Sequence, residues 1–203
     1  MPEIDIKAES IKVLESPLYF LYNYCYTLDQ EDRKNPIKKF PQKDYIEELV
    51  KIWIKQRLLL IVKSRRMMLT WLFNGLFLWD TMYHNAVNTF FISKKEDDAD
   101  DLVNRSFFIY DHLPDFLKVP CRKKHCLLEF PDMNSLIKGV SQDADALRQQ
   151  TATNLFSDEM AFQPFGKEAL MASRPTLGRG GRFVGVSTIN GKNFYHQLLY
   201  DQI

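Results

Sequence analysis

Three groups of residues, far apart in the chain, have the types needed to handle a phosphate anhydride. The first places three cations, Lys63, Arg65 and Arg66, within four residues. They follow the apolar run 58–62 and precede the hydroxyl of Thr70 and the amphipathic stretch 71–83. Strand, basic turn and helix in that order are where a phosphate-binding loop belongs. The pattern G-x-x-x-x-G-K-[ST] uses glycines for close backbone approach, a lysine on the phosphates and a hydroxyl on magnesium. Laid on it, this chain keeps only Thr70: Lys63 and Met68 stand at the glycine positions and Leu69 at the lysine position. A lysine at the front of such a loop can fold back over the phosphates while the helix-start amides attract an anion. Lys63, Ser64, Arg65, Met68, Leu69 and Thr70 are therefore the candidate cradle. Met68 is the obstacle, because a side chain at a glycine position hinders backbone approach. A solvated basic turn is the plain alternative for the cations.

The second group is Asp158-Glu159, which ends the segment Asn154-Leu155-Phe156-Ser157 and is followed by Met160-Ala161-Phe162. An acidic pair at the end of an apolar strand can hold a magnesium ion and orient water, although Asn154 and Ser157 interrupt that strand. The third is Ser187-Thr188-Ile189-Asn190, after the apolar stretch 182–186, where short polar side chains could sense a terminal phosphate.

In this order the three blocks resemble those of phage large terminase subunits, in several of which the phosphate loop begins K-[SA]-[RA]-R with its lysine in front. The segment 154–162 looks like their Walker B strand, and 184–195 is similar to their S-T-P-x-G coupling motif, with Ile189 in place of proline. The resemblance spans about residues 58–195. It implies an ASCE/RecA-like P-loop NTPase fold, α/β with a mostly parallel central sheet flanked by helices, and hydrolysis of ATP with Mg²⁺ to move double-stranded DNA into a procapsid. By the same resemblance Thr70 supplies its hydroxyl to magnesium, Asp158 holds that ion through water, Glu159 polarises the attacking water, and Gln42 reads the adenine edge. Ser187, Thr188 and Asn190 would then sense the γ phosphate, and Arg66 would support catalysis. Arg148, eleven residues before Glu159, matches an arginine finger acting on a neighbouring subunit, with Gln149 where glycine is usual. Such fingers contribute about 10³–10⁵ in rate, so an isolated chain is expected to be a nearly inactive monomer. The implied partners are a homo-oligomeric ring, DNA, a portal protein and a small terminase subunit, in the host cytoplasm rather than in the mature virion. A family member would continue into an RNase H-like nuclease, and nothing in this chain corresponds to one. Two alternatives stand beside this reading: a docking or DNA-binding module that has lost catalysis, and a superfamily 2 helicase fragment.

Length and composition agree with one α/β domain: 203 residues, of which 45% are hydrophobic. A net charge of +1 gives no global reason for nucleic-acid binding, so DNA contact rests on local patches such as the basic loop 177–182. Cys25, Cys121 and Cys126, an odd set without a secretory signal, argue for free thiols and a reducing compartment. Cys121 and Cys126 have the spacing of a zinc half-site, but the sequence offers no second ligand pair, so zinc is not expected. The longest apolar stretch, 67–79, is shorter than the roughly 20 residues a spanning helix needs.

Periodicity predicts helices over 10–26, 45–56, 96–111 and 167–173, a buried strand over 89–93, a hairpin over 126–140 and strands ending at 158 and 186. Residues 29–43, charged and carrying Pro36 and Pro41, read as a loop between an N-terminal helical region (1–43) and the core (44–203). The 58–62 strand is expected to be buried, and the strand before Ser187 to lie at the sheet edge. Alternating strands and helices place a ligand at the carboxyl ends of the strands.

Overall fold

The structure, a computed structural model, describes residues 5–141, 152–164, 166–168, 170–171 and 180–200. Within these, α1 (Ile6–Glu15) and α2 (Pro17–Tyr24) precede a two-stranded hairpin of β1 (Tyr26–Leu28) and β2 (Ile37–Lys39). The α/β unit follows with α3 (Asp44–Lys55), β3 (Leu58–Val62), α4 (Leu69–Tyr83), β4 (Asn88–Ser93) and α5 (Glu96–Asp111). Next come β5 (Arg122–Lys124), β6 (Leu127–Phe130), β7 (Ser135–Ser141), β8 (Asn154–Asp158), β9 (Arg182–Ser187) and α6 (Phe194–Tyr200). Seven strands form one sheet in the order β3-β9-β8-β4-β7-β6-β5. From β3 to β7 every pairing is parallel; β6 and β5 add antiparallel at the far edge. The expected mostly parallel sheet flanked by helices is therefore observed.

Successive strand residues point to opposite faces, and both faces are covered. Phe91, Phe156, Val184 and Val186 join the larger core with Leu72, Phe73 and Phe77 of α4 and with Phe20, Leu21 and Trp53 of the N-terminal helices. Phe90, Ile92, Leu155 and Phe183 pack on the other face against Met160 and Tyr195. Burial on both sides is why these strands read as continuous apolar runs rather than alternating ones. α5 lies so close to β7 that a Cβ on Gly139 would stand 2.7 Å from the Ala99 carbonyl oxygen.

Several expectations need correction. The helix over 10–26 is two helices, because Ser16 caps α2 through a hydrogen bond from the Tyr19 amide and Pro17 opens its first turn. Part of the 29–43 loop is strand β2. β3 is the edge strand of the sheet, with Leu58 and Val62 exposed, whereas β9, expected at the edge, lies between β3 and β8. The hairpin over 126–140 is present as β6 and β7, joined by a 3-10 turn over Pro131–Met133 and by Asn134 in the left-handed region; β5 was not anticipated. The basic loop 177–182 is described only from Gly180. Its Arg182 is committed to the fold: the guanidinium lies 3.9 Å from the Trp53 ring centroid and donates to the carbonyls of Trp53 and Gln56.

The N-terminal helices carry a pH-sensitive cluster. Tyr19 and Tyr24 both donate to Glu9 Oε1. With Lys12 beside it, the carboxyl falls from 4.5 to about 2, the Tyr19 hydrogen bond contributing most. A carboxyl depressed in the folded state contributes stability above its unfolded value and loses it as pH falls through the folded one. Acid titration of thermal stability is expected to show a loss between about pH 4.5 and 2 that Glu9→Gln lacks. Coincident pH profiles for the two proteins would contradict this.

Candidate functional site

β3 runs directly into the basic turn, and the Lys63 amide still pairs with the Ser187 carbonyl at 2.9 Å, so the loop leaves the sheet at the carboxyl end of β3. Two residues in the turn take the left-handed conformation, Arg66 (φ 67°) and Met68 (φ 56°, ψ 13°). For non-glycine residues this costs about 1–2 kcal/mol each, and the surrounding loop holds them there. Met68 thus adopts a glycine-like backbone while its side chain lines a neighbouring cleft. α4 begins immediately afterwards with no side-chain cap, leaving first-turn amides for water or an anion. Leu69, at the pattern's lysine position, is anchored in the core at 2% exposure, so it offers the site only backbone.

Thr70 is fixed from behind. Asn74 Nδ2 donates to the Thr70 carbonyl at 2.8 Å, and the Asn74 side-chain oxygen accepts from Ser106 of α5 at 2.9 Å. The Thr70 hydroxyl donates to Asp158 Oδ2 at 3.0 Å. Lys63 Nζ reaches Asp158 Oδ1 at 3.3 Å, Glu159 Oε1 at 3.1 Å and Thr70 Oγ1 at 3.5 Å. The Lys63 side chain is 9% exposed, that of Asp158 12% and that of Glu159 44%, which makes this a largely desolvated cation shared by two carboxylates.

The acidic pair is presented by a buried strand whose polar interruptions are satisfied. Asn154 Nδ2 donates to Asp80 Oδ2 at 2.6 Å and Ser157 Oγ to Gln163 Oε1 at 3.1 Å. Gln163 in turn donates to the carbonyls of Asp158 and Ile92, bracing the turn after β8. Glu159 has φ 50°, a left-handed turn that swings its carboxylate toward β9. There its Oε2 accepts from Ser187 Oγ (3.3 Å), the Thr188 amide (3.4 Å) and Thr188 Oγ1 (3.5 Å). Ser187 Oγ also accepts from the Ala161 amide at 3.1 Å, and Asn190 Nδ2 donates to the Ala161 carbonyl at 3.2 Å. Lys63, Thr70, Asp158, Glu159, Ser187, Thr188 and Asn190 therefore belong to one connected network.

Two clefts adjoin it. One of about 500 Å³ is lined by Arg65, Lys94, Asp158, Glu159 and Thr188. A larger one of about 750 Å³ lies beside it, walled by Arg66, Met68, Trp71, Pro41 and Phe108, with Asp101 and Arg105 common to both. Asp158 and Glu159 line the smaller cleft and not the larger. Arg66 stands apart from Lys63, with an exposed side chain paired to Glu31 at 3.1 Å. Gln42 and Ser64 are exposed, and Pro41 rather than Gln42 lines the larger cleft. Arg148 lies outside the described residues. The residues that sequence reasoning passed over are Gln163 and Asn74, polar side chains with no motif around them, and Trp71 and Arg105, which wall the larger cleft.

A hydroxyl and a carboxylate oxygen 3.0 Å apart are hard donors of the kind magnesium takes. Thr70 and Asp158 therefore fit a magnesium ion that would arrive with a nucleotide, the hydroxyl as a ligand and the carboxylate through water.

No protein-family model and no curated protein matches the chain. Solved structures do. The large terminase of bacteriophage HK97 superposes with a TM-score of 0.72 at 11% identity, over 93% of this chain and 40% of that one. The large terminase ATPase domain of Thermus phage P74-26 gives 0.63 at 17% identity, over 78% of this chain and 69% of that one, and so does a single-substitution variant of it. At such identities the likeness establishes architecture, and this chain has the α/β fold of phage large terminase ATPase domains.

Proposed function

We propose that this chain is an ATP-hydrolysing motor domain of a viral large terminase, which binds magnesium-ATP and moves double-stranded DNA into a procapsid. The observation that carries it is the meeting of Lys63, Thr70, Asp158 and Glu159 at the carboxyl ends of β3 and β8. Phosphoryl transfer asks a protein mainly for positioning and electrostatics, and each requirement has a residue. Lys63 supplies positive charge at the loop, released from its carboxylates as phosphate takes their place. Thr70 and Asp158 hold the magnesium, which neutralises phosphate charge when bound. Glu159, kept in place by Ser187 and Thr188, accepts a hydrogen bond from the attacking water and orients it. When the γ phosphate leaves, Glu159 can return to Lys63, and the hydrogen bonds to Ser187 and Thr188 pass that change to β9.

The wider setting follows from the same reading. The chain works as a homo-oligomeric ring with a portal protein and a small terminase subunit in the host cytoplasm, and contacts DNA through backbone phosphates. Arg148 is the finger offered to a neighbouring subunit.

Calorimetric titration of ATP with and without magnesium into the wild type and Thr70→Val tests the site. Wild type is expected to bind more tightly with magnesium, and Thr70→Val to lose most of that enhancement, since hydrogen bonds to charged groups are worth about 1.5–3 kcal/mol, or roughly 10- to 150-fold. Absence of binding heat at millimolar nucleotide under both conditions would move the catalytically lost docking module ahead.

A further inference from the structure

At the start of α5, where Lys94 and Asp98 border the smaller cleft, three side chains of metal-ligating type converge. Glu96 opens the helix, and His125 and Cys126 form the turn between β5 and β6. Glu96, His125 and Cys126 each offer one ligand atom, and these lie within 4.8 Å of one another. His125 Nε2 is 3.6 Å from Cys126 Sγ and 3.1 Å from Glu96 Oε1. With zinc–sulfur bonds of about 2.3 Å and zinc–nitrogen or –oxygen bonds near 2.1 Å, tetrahedral angles place S···N at ~3.6 Å and N···O at ~3.4 Å. The two pairs made by His125 therefore already have close to the spacing a tetrahedral ion requires, and the third lies within 4.8 Å.

A second observation supports the first. The other imidazole nitrogen, Nδ1, faces Asp100 Oδ2 at 3.6 Å. A ligating histidine usually turns its second ring nitrogen to a carboxylate in this way, which fixes its tautomer and orientation. Asp100 is itself held by the Cys126 amide at 2.6 Å, Asn104 at 2.9 Å and Lys123 at 3.3 Å. The left-handed backbone of Cys126, φ 51°, is part of the tight turn that brings its sulfur back over the helix start. The sequence-based exclusion of zinc rested on the lack of a second ligand pair, and the fold supplies the missing ligand from a helix some 30 residues upstream.

We propose that Glu96, His125 and Cys126 bind one borderline-soft divalent cation of the zinc class, with Asp100 as a positioning residue and the fourth position open to water. The thiol proton passes to solvent on binding, since thiolate is the ligating form. Cys121 takes no part. The ion ties the first turn of α5 to the β5–β6 turn, and so steadies the helix whose Asp101 and Arg105 line both clefts.

Cobalt(II) titration of the reduced, chelator-treated chain tests this. The expected result is one ion per chain, with thiolate-to-cobalt charge-transfer absorption that zinc abolishes by displacement. Cys126→Ser should remove that absorption and Cys121→Ser should leave it intact. Asp100→Asn should weaken binding about 10- to 100-fold without removing the band. Should Cys126→Ser not fold, His125→Ala, an exposed side chain, carries the test with at least a tenfold loss of affinity. A wild type without charge-transfer absorption at micromolar cobalt, or a band that survives Cys126→Ser and vanishes in Cys121→Ser, overturns the proposal.

Discussion

Glu159→Gln is expected to bind magnesium-ATP within a few-fold of wild type and to lose turnover by about 10²–10⁴ in the assembled protein, the usual contribution of a positioned acid or base. The substitution keeps the shape of the side chain and its hydrogen bonds with Ser187 and Thr188. What it removes is the negative charge that orients water. Affinity should hold because Lys63 and the helix-start amides, rather than Glu159, face the phosphates in the proposed complex. Loss of the Glu159 half of the Lys63 pairing even favours the nucleotide slightly, since one competitor for the ammonium is gone. Steady-state phosphate release by assembled wild type and variant, with calorimetric affinity measured on the same preparations, checks both halves. Full turnover in Glu159→Gln would remove this residue from the chemistry and leave Asp158 as the only carboxylate of the network.

Lys63→Ala is expected to weaken magnesium-ATP binding about 10- to 150-fold, the worth of one charge-assisted hydrogen bond of about 1.5–3 kcal/mol. Its cost to the empty protein runs the same way for a different reason. With the ammonium gone, Asp158, which is 12% exposed, keeps only the Thr70 hydroxyl and faces Glu159 with like charge. Removing one member of a buried ion pair is destabilising by up to about 3–5 kcal/mol. The 44% exposure of Glu159 lets solvent screen part of that. Thermal melts must therefore accompany the titration: a folded Lys63→Ala that binds nucleotide as the wild type does would show that the phosphates are held by backbone amides alone.

The behaviour of Met68 explains why a motif search misses this loop. Pattern matching asks for glycine because glycine reaches the left-handed region without strain. The structure reaches it with Met68 and Arg66 instead and turns the Met68 side chain into a cleft wall. In the proposed function the lysine is likewise displaced: Leu69 fills the core from the usual lysine position, and the ammonium of Lys63 comes from the other end of the turn. Physical requirements, a left-handed turn and a cation over the helix start, are kept while the residue letters change.

Read as a linear string, the chain determines its local pieces. The limits of α5, the 126–140 hairpin, the strand–turn–helix around Lys63 and the acidic pair at a strand end all follow from periodicity and capping, which act over a few residues. Where local signals compete, as at Ser16-Pro17, the break is also written in the sequence. Tertiary structure alone decided which strands neighbour which. That order makes β3 an edge, inserts β9 between the basic loop and the acidic pair, and brings Lys63 to Asp158 across 95 residues. It likewise brought Glu96 beside His125 and Cys126. Crossover connections let parallel strands be ordered in many ways with the same local pattern, and only the packing of both sheet faces selects one of them.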